Sequence, residues 1–248
     1  MFKFVLLVGL SSILTFNASA EVPFAYNDYR DEIKKMTLDS HRPLTSYRKS
    51  RHHIMQEVHL DSDRRGYFVK EVYCDVSLRN GVGPSKMPNH QVINVEHTWP
   101  RSRFGQSKRR GGKGPNYKIK EADLHHLYPS DSKANSTRGN HVFTQFSSDT
   151  PGLSHCPQSK RGYIASRGDQ GFEPPENHKG NVARALFYFA VRYNMRISEH
   201  EEFFLKQWNI IDPVDAEEVE RNNKIEKIQG NRNPFVDDPD LVALINDF

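Results

Sequence analysis

The sequence predicts an α+β fold, a mainly helical single domain that contains a small sheet. Three observations carry this. Segments with apolar residues at helical spacing dominate both ends of the chain, short runs with two-residue alternation lie between them, and no repeat or low-complexity linker divides it.

Asn27 to Met36 and Ser46 to Leu60 read as helices, the second with Ile54 and Val58 on one face. Gly66 to Tyr73 changes period. Phe68 and Val72 would share one strand face, Val69 and Tyr73 the other, and Gly81-Val82-Gly83-Pro84 follows as punctuation. Gln91 to Glu96 and Asp123 to Tyr128 are two further short strand segments. The polar stretch Asp131 to Arg138 makes about two helical turns before Gly139 stops it. Beyond Pro174-Pro175, the segment Asn181 to Tyr193 aligns Val182, Leu186, Phe189 and Tyr193 for core packing. Glu199 to Trp208 and Pro213 to Gln229 complete a helical C-terminal half, with Gly230 as the stop.

Composition fits a folded enzyme-sized chain. With 248 residues, 36% hydrophobic, 11% aromatic and two Cys, collagen-like, coiled-coil and cysteine-framework classes are excluded, and the aromatic content argues against disorder. The formal net charge of +4 is mildly basic.

The first twenty residues stand apart. Lys3, an apolar run from Phe4 to Leu14 and then Ala18-Ser19-Ala20 have the order of a secretory signal. Cleavage is expected after Ala20, leaving residues 21–248 as the working domain, periplasmic or secreted. An uncleaved anchor is the alternative, disfavoured because the apolar run is too short to span a bilayer. No later segment could span one, so no membrane contact is expected after removal of the signal. In an oxidising compartment Cys74 and Cys156 would form one disulfide; two separate buried thiols remain the alternative.

The chemistry concentrates between Asn94 and Asn140. In NVEHTWPRSRFG, Glu96 offers a hard oxygen ligand and His97 an imidazole able to take a proton near neutral pH. Neighbours on a straight strand point to opposite faces, so both serve one site only if the strand bends or ends here, as Pro100 suggests. In SKRRGGKGPNYK, Lys108, Arg109, Arg110 and Lys113 surround a Gly pair, a cationic loop suited to phosphate but equally readable as solvated surface. In EADLHHLYPSDSKANSTRGN, a helix would put Asn135 and Arg138 on one face, an amide oxygen and a guanidinium able to converge on a phosphate and its metal. His125 and His126 read as structural, not catalytic.

At these residues the chain resembles the endonuclease I family, exported bacterial DNA and RNA nucleases of the ββα-metal (His-Me finger) superfamily. VEHTWPRSRFG, DLHHLYPSDSKANSTRGN and QGNRNPFVDDPDLV carry the resemblance, which extends from about Ser46 to Asp240. It implies a ββα-metal finger of two strands and a short helix set in a mainly helical body. It further implies that His97 is the general base, and that Glu96 and Asn135 hold one divalent cation, Mg²⁺, with Mn²⁺ or Ca²⁺ as substitutes. The activity implied is sequence-nonspecific endonucleolytic hydrolysis of DNA, or of RNA, to 5′-phosphate products; separately from the resemblance, a monomer is expected.

Two positions depart from patterns in that family. Asn94 stands where some members carry a carboxylate, and Lys113 where some carry an Arg, giving a point charge instead of a fork. Arg109, Arg110 or Arg138 could then grip the phosphate. Two other classes compete. His200-Glu201-Glu202-Phe203-Phe204 begins like a zinc metalloprotease helix but lacks the second His, and a nucleic-acid-binding protein without turnover would leave the Glu96-His97 pair unexplained.

Overall fold

A computed structural model describes residues 28–105, 114 and 116–248. Helix α1 runs Asp28–Leu38, and Ser46 caps α2 (Tyr47–His53), which widens into a π-helical turn over Ile54–Val58. The proposed leader, residues 1–20, and the loop cations Arg109, Arg110 and Lys113 lie outside the described residues. A hairpin follows, β1 (Leu60–Asp63) against β2 (Gly66–Lys70), with a two-residue third strand β3 (Ser77–Leu78). The strand expected to reach Tyr73 stops at Lys70. There the buried Glu71 carboxylate accepts the backbone N–H groups of Tyr73, Cys74 and Val76, folding the chain into a turn.

The same carboxylate also accepts Asp131 N–H at 2.8 Å, so one Glu joins this turn to the unit that matters most. That unit is β4 (Ile93–His97), antiparallel to β5 (Leu127–Asp131), with α3 (Tyr117–Ala122) between them in sequence and α4 (Ser132–Arg138) after them. Asp131 caps α4 by accepting from Lys133 and Ala134 N–H, and Gly139 closes it at φ +57°. The strand expected at Asp123 to Tyr128 is instead a 3₁₀ turn over Leu124–His126 followed by β5, because the Asp123 side chain caps the turn through His125 N–H.

A four-stranded sheet follows, in order β6-β9-β8-β7, from β6 (Val142–Phe143), β7 (Gly152–Leu153), β8 (Cys156–Ile164) and β9 (Asp169–Glu173). Four helices complete the chain: α5 (Lys179–Tyr193), α6 (Glu199–Ile211), α7 (Ala216–Gln229) and α8 (Pro234–Asp237). Ser198 and Asp215 cap α6 and α7, and Gly230 ends α7 at φ +84°. The result is the α+β domain expected, helices around small sheets.

Helix α5 is buried on every side from Val182 to Val191, more than the single apolar face read from its spacing. It packs with Trp99, Trp208, Phe235 and Phe248 in one cluster. Ile93, Val95 and Leu127 of the two-stranded unit pack with Ile54, Val58 and Ile225 in another. Cys74 and Cys156 are disulfide-bonded. Buried polar groups are tied at long range. Asp123 accepts from Tyr188 and Tyr193 hydroxyls at 2.9 and 2.7 Å and from Gln229 Nε2 at 2.9 Å, while Arg184 donates to Glu218 from inside the helical layer. Among the described residues no helix is long and apolar enough to cross a membrane.

Candidate functional site

The end of β4 opens on a cleft of about 490 Å³ whose walls include Tyr47, Arg51, Asn94, Glu96, His97, Arg101 and Asn135. Strand β4 stays in register with β5 through His97↔Leu127, and Thr98 N–H extends the ladder once, to His126 O at 3.0 Å. The strand ends at His97, and the chain bends over Thr98 and Trp99. Glu96 turns toward Tyr73 and Arg138, and His97 toward Tyr47 and His126. Both still reach the cleft, which runs along this strand end and on to Arg101 and Ser102.

The His97 ring is 8% exposed, and its Nε2 lies 3.0 Å from the Glu121 carbonyl oxygen. A carbonyl can only accept, so Nε2 carries the proton and Nδ1 keeps its lone pair. Burial, reinforced by the neighbouring His126, holds the imidazole well below its ordinary pKa and so neutral near pH 7. Glu121 serves twice, since its side chain also pairs with Arg101 at 3.0 Å.

Glu96 is 3% exposed. Its Oε1 accepts from the Tyr73 hydroxyl at 2.9 Å and pairs with Arg138 Nη1 at 2.7 Å, while Oε2 has no side-chain partner among the described residues. Burial pushes the Glu96 carboxyl up, with Arg138 and the Tyr73 hydroxyl pulling it down; burial and the adjacent carboxylate keep the Tyr73 phenol protonated. Asn135, on the outer face of α4, donates Nδ2–H to Asn94 Oδ1 at 2.7 Å. That bond leaves the Asn135 carbonyl oxygen for another partner. The cleft thus offers two hard oxygens, a donor set that fits a Mg²⁺- or Ca²⁺-type ion keeping most of its positions for water and phosphate. Among the described residues no cluster of three or more His, Cys, Asp or Glu side chains offers a metal cage.

Several sequence expectations change. Arg138 lies inside the fold and not on the cleft wall. It is fully buried, its guanidinium spent on Glu96 and on the carbonyls of His97 and Thr98, and only Asn135 of that helical pair lines the cleft. Asn94, noted only as a missing carboxylate, orients the Asn135 amide. Arg51 and Arg101 were not singled out, although Arg101 sits in the same motif as His97. Arg51 is half-buried and has no ion-pair partner among the described residues, and sequence distance hid it. His125 and His126 are fully buried, donating to Asn231 and Lys120 carbonyls, and burial lowers both to about 4. The His200-Glu201-Glu202 segment is occupied by packing contacts, His200 with Thr144, and Glu201 with Arg103 and Phe143 N–H.

A second cleft of about 400 Å³ lies beside β1, β2 and α7. Asp61, Glu71, Asp75, Asp215, Glu217, Glu218 and Glu220 outnumber Lys70, Arg221 and Lys224 in its walls, a field that repels a polyanion. The cleft at β4 has the opposite balance.

The chain is similar in sequence to several known proteins. The chain is 38% identical over 167 residues to an extracellular ribonuclease of Bacillus subtilis (strain 168), covering 59% of this chain and 51% of that one. A periplasmic deoxyribonuclease of Aeromonas hydrophila is 28% identical, covering 63% and 68%, and an Endonuclease-1 of Buchnera aphidicola subsp. Acyrthosiphon pisum (strain APS) is 34% identical, covering 58% and 59%. The aligned region thus spans about half to two thirds of these relatives. The family model described as Endonuclease I matches residues 27–240, which includes β4, β5, α4 and every described wall of the cleft. The chain belongs to the endonuclease I family.

Proposed function

We propose that this chain is an exported, metal-dependent, sequence-nonspecific endonuclease that hydrolyses phosphodiester bonds of DNA, and of RNA as a second substrate class, to 5′-phosphate products. The observation that carries the reading is the His97 Nε2–H bond to Glu121 O, which leaves a neutral basic nitrogen on a cleft shared with Glu96 and Asn135. The names of the relatives support both the substrate class and export, and residues 1–20 would be the leader removed on the way. The working unit is a monomer, periplasmic or secreted.

In this reading His97 Nδ1 accepts the proton of a water that attacks phosphorus, and the bond to the 3′ oxygen breaks. Glu96 and Asn135 would hold the Mg²⁺, which when bound offsets charge on the scissile phosphate and the departing oxygen. Glu121 fixes the His97 tautomer and keeps Arg101 at the cleft wall. Arg51 and Arg101 meet the phosphates on either side, together with Arg109, Arg110 and Lys113 of the cationic loop.

Plasmid nicking by the mature protein, with chelator and with Mg²⁺ restored, tests reaction and cofactor together. Retardation of DNA in a gel without nicking at millimolar Mg²⁺ would reduce the chain to a binding protein. Asn135→Ala is expected to lower nicking by at least about tenfold, with partial recovery as Mg²⁺ rises; a loss indifferent to metal would remove Asn135 from the ligand set. Arg51→Ala is expected to raise KM more than it lowers kcat, and to flatten the plot of log binding constant against log salt by about 1 for duplex DNA in chelator. An unchanged slope would show that Arg51 touches no phosphate.

A further inference from the structure

Arg138 makes an arrangement that stability alone does not require. Its guanidinium carbon lies over the Phe143 ring, 4.4 Å from the centroid, and the group donates to His97 O at 3.0 Å and Thr98 O at 2.6 Å while pairing with Glu96 Oε1 at 2.7 Å. Tyr73 adds its hydroxyl to that same oxygen at 2.9 Å. One hydrogen bond and one ion pair on Oε1 hold the carboxylate and leave Oε2 as the ligand atom. Arg138 is also one turn after Asn135 on α4, so a single short helix carries one oxygen ligand and the clamp on the other. The carbonyl it holds belongs to His97, the residue whose ring bears the basic nitrogen.

We infer that Arg138 and Tyr73 are positioning residues that set the metal affinity of the cleft by locking Glu96 and the His97 backbone in one arrangement. The inference rests on the metal-site reading above and extends it to two side chains that touch neither ion nor substrate. Ligands held in place before the ion arrives lose little freedom on binding it, and outer partners of this kind typically change metal affinity or activity by about 10–100-fold. Tyr73→Phe deletes one hydroxyl and keeps the ring against Phe172, 4.9 Å away. Arg138→Lys keeps the charge and loses the planar fork that reaches three oxygens at once.

The test is a titration of the mature protein with Mn²⁺ in the absence of nucleic acid, read as free Mn²⁺ by electron paramagnetic resonance, with thermal melting as the check on folding. Tyr73→Phe and Arg138→Lys are expected to bind Mn²⁺ about tenfold or more weakly, and high metal should restore most of the nicking rate of Tyr73→Phe. Should Arg138→Lys fail to fold, Tyr73→Phe decides alone. Parental Mn²⁺ affinity in folded Tyr73→Phe, alongside lost binding in Glu96→Gln, overturns the positioning role and leaves the metal site standing. Unchanged binding in Glu96→Gln overturns both, because the ion is then held elsewhere.

Discussion

Replacing His97 with alanine is expected to lower plasmid nicking by about 10²–10⁴-fold at saturating Mg²⁺, the usual contribution of a positioned general base. Duplex binding in chelator should change little. The size of the effect follows from the surroundings. Burial keeps the ring neutral and the Glu121 carbonyl fixes the proton on Nε2; His126, 5.3 Å away centroid to centroid, is held the same way by the Lys120 carbonyl but is fully enclosed and off the cleft wall, and His90 sits at the exposed rim. Because His97 packs on Tyr47, melting curves should accompany the assay, and His97→Gln gives a bulkier comparison. Cleavage near the parental rate in either folded variant would end the assignment.

The largest stability effect is expected at the disulfide. Cys74 and Cys156 are 82 positions apart, and closing a loop of that length in the unfolded chain stabilises the native state by about 4–5 kcal/mol on the loop-entropy account. Against a total of about 5–15 kcal/mol, the double Cys→Ala variant should melt roughly 10–20 °C lower. The bridge also sits at an instructive place. It follows Tyr73, whose carbonyl accepts the Ser159 hydroxyl at 2.8 Å, so it ties the Glu71 turn to β8. Denaturant titration of both proteins measures the difference, and a loss below about 1 kcal/mol would mean that the unfolded chain is already compact around these residues.

Elements that announce themselves through caps were legible in the sequence. Gly139 after α4 and Gly230 after α7 are local signals, and the structure uses both of them. Glu96, His97 and Asn135 stand in short motifs whose hard oxygens and imidazole marked them as site candidates, and the fold brings all three to one cleft. What stayed hidden depends on distant partners. A cation in sequence does not show which anion it meets, so Arg138 read as a substrate contact when Glu96 holds it inside. Glu71 gave no signal at all. Its partners are backbone N–H groups, three just beyond it and one 60 positions away at Asp131. Asp123 to Tyr128 looked extended because alternation does not distinguish a strand from a 3₁₀ turn that runs into one.

Asp123 gathers Tyr188, Tyr193 and Gln229 across separations of 65, 70 and 106 residues. Contacts that close such long loops are expected to mature after the folding barrier. Losing them should hasten opening far more than it delays collapse. The buried carboxylate then acts as a latch on residence time, lengthening the life of each folded molecule between excursions without making the next one assemble any sooner.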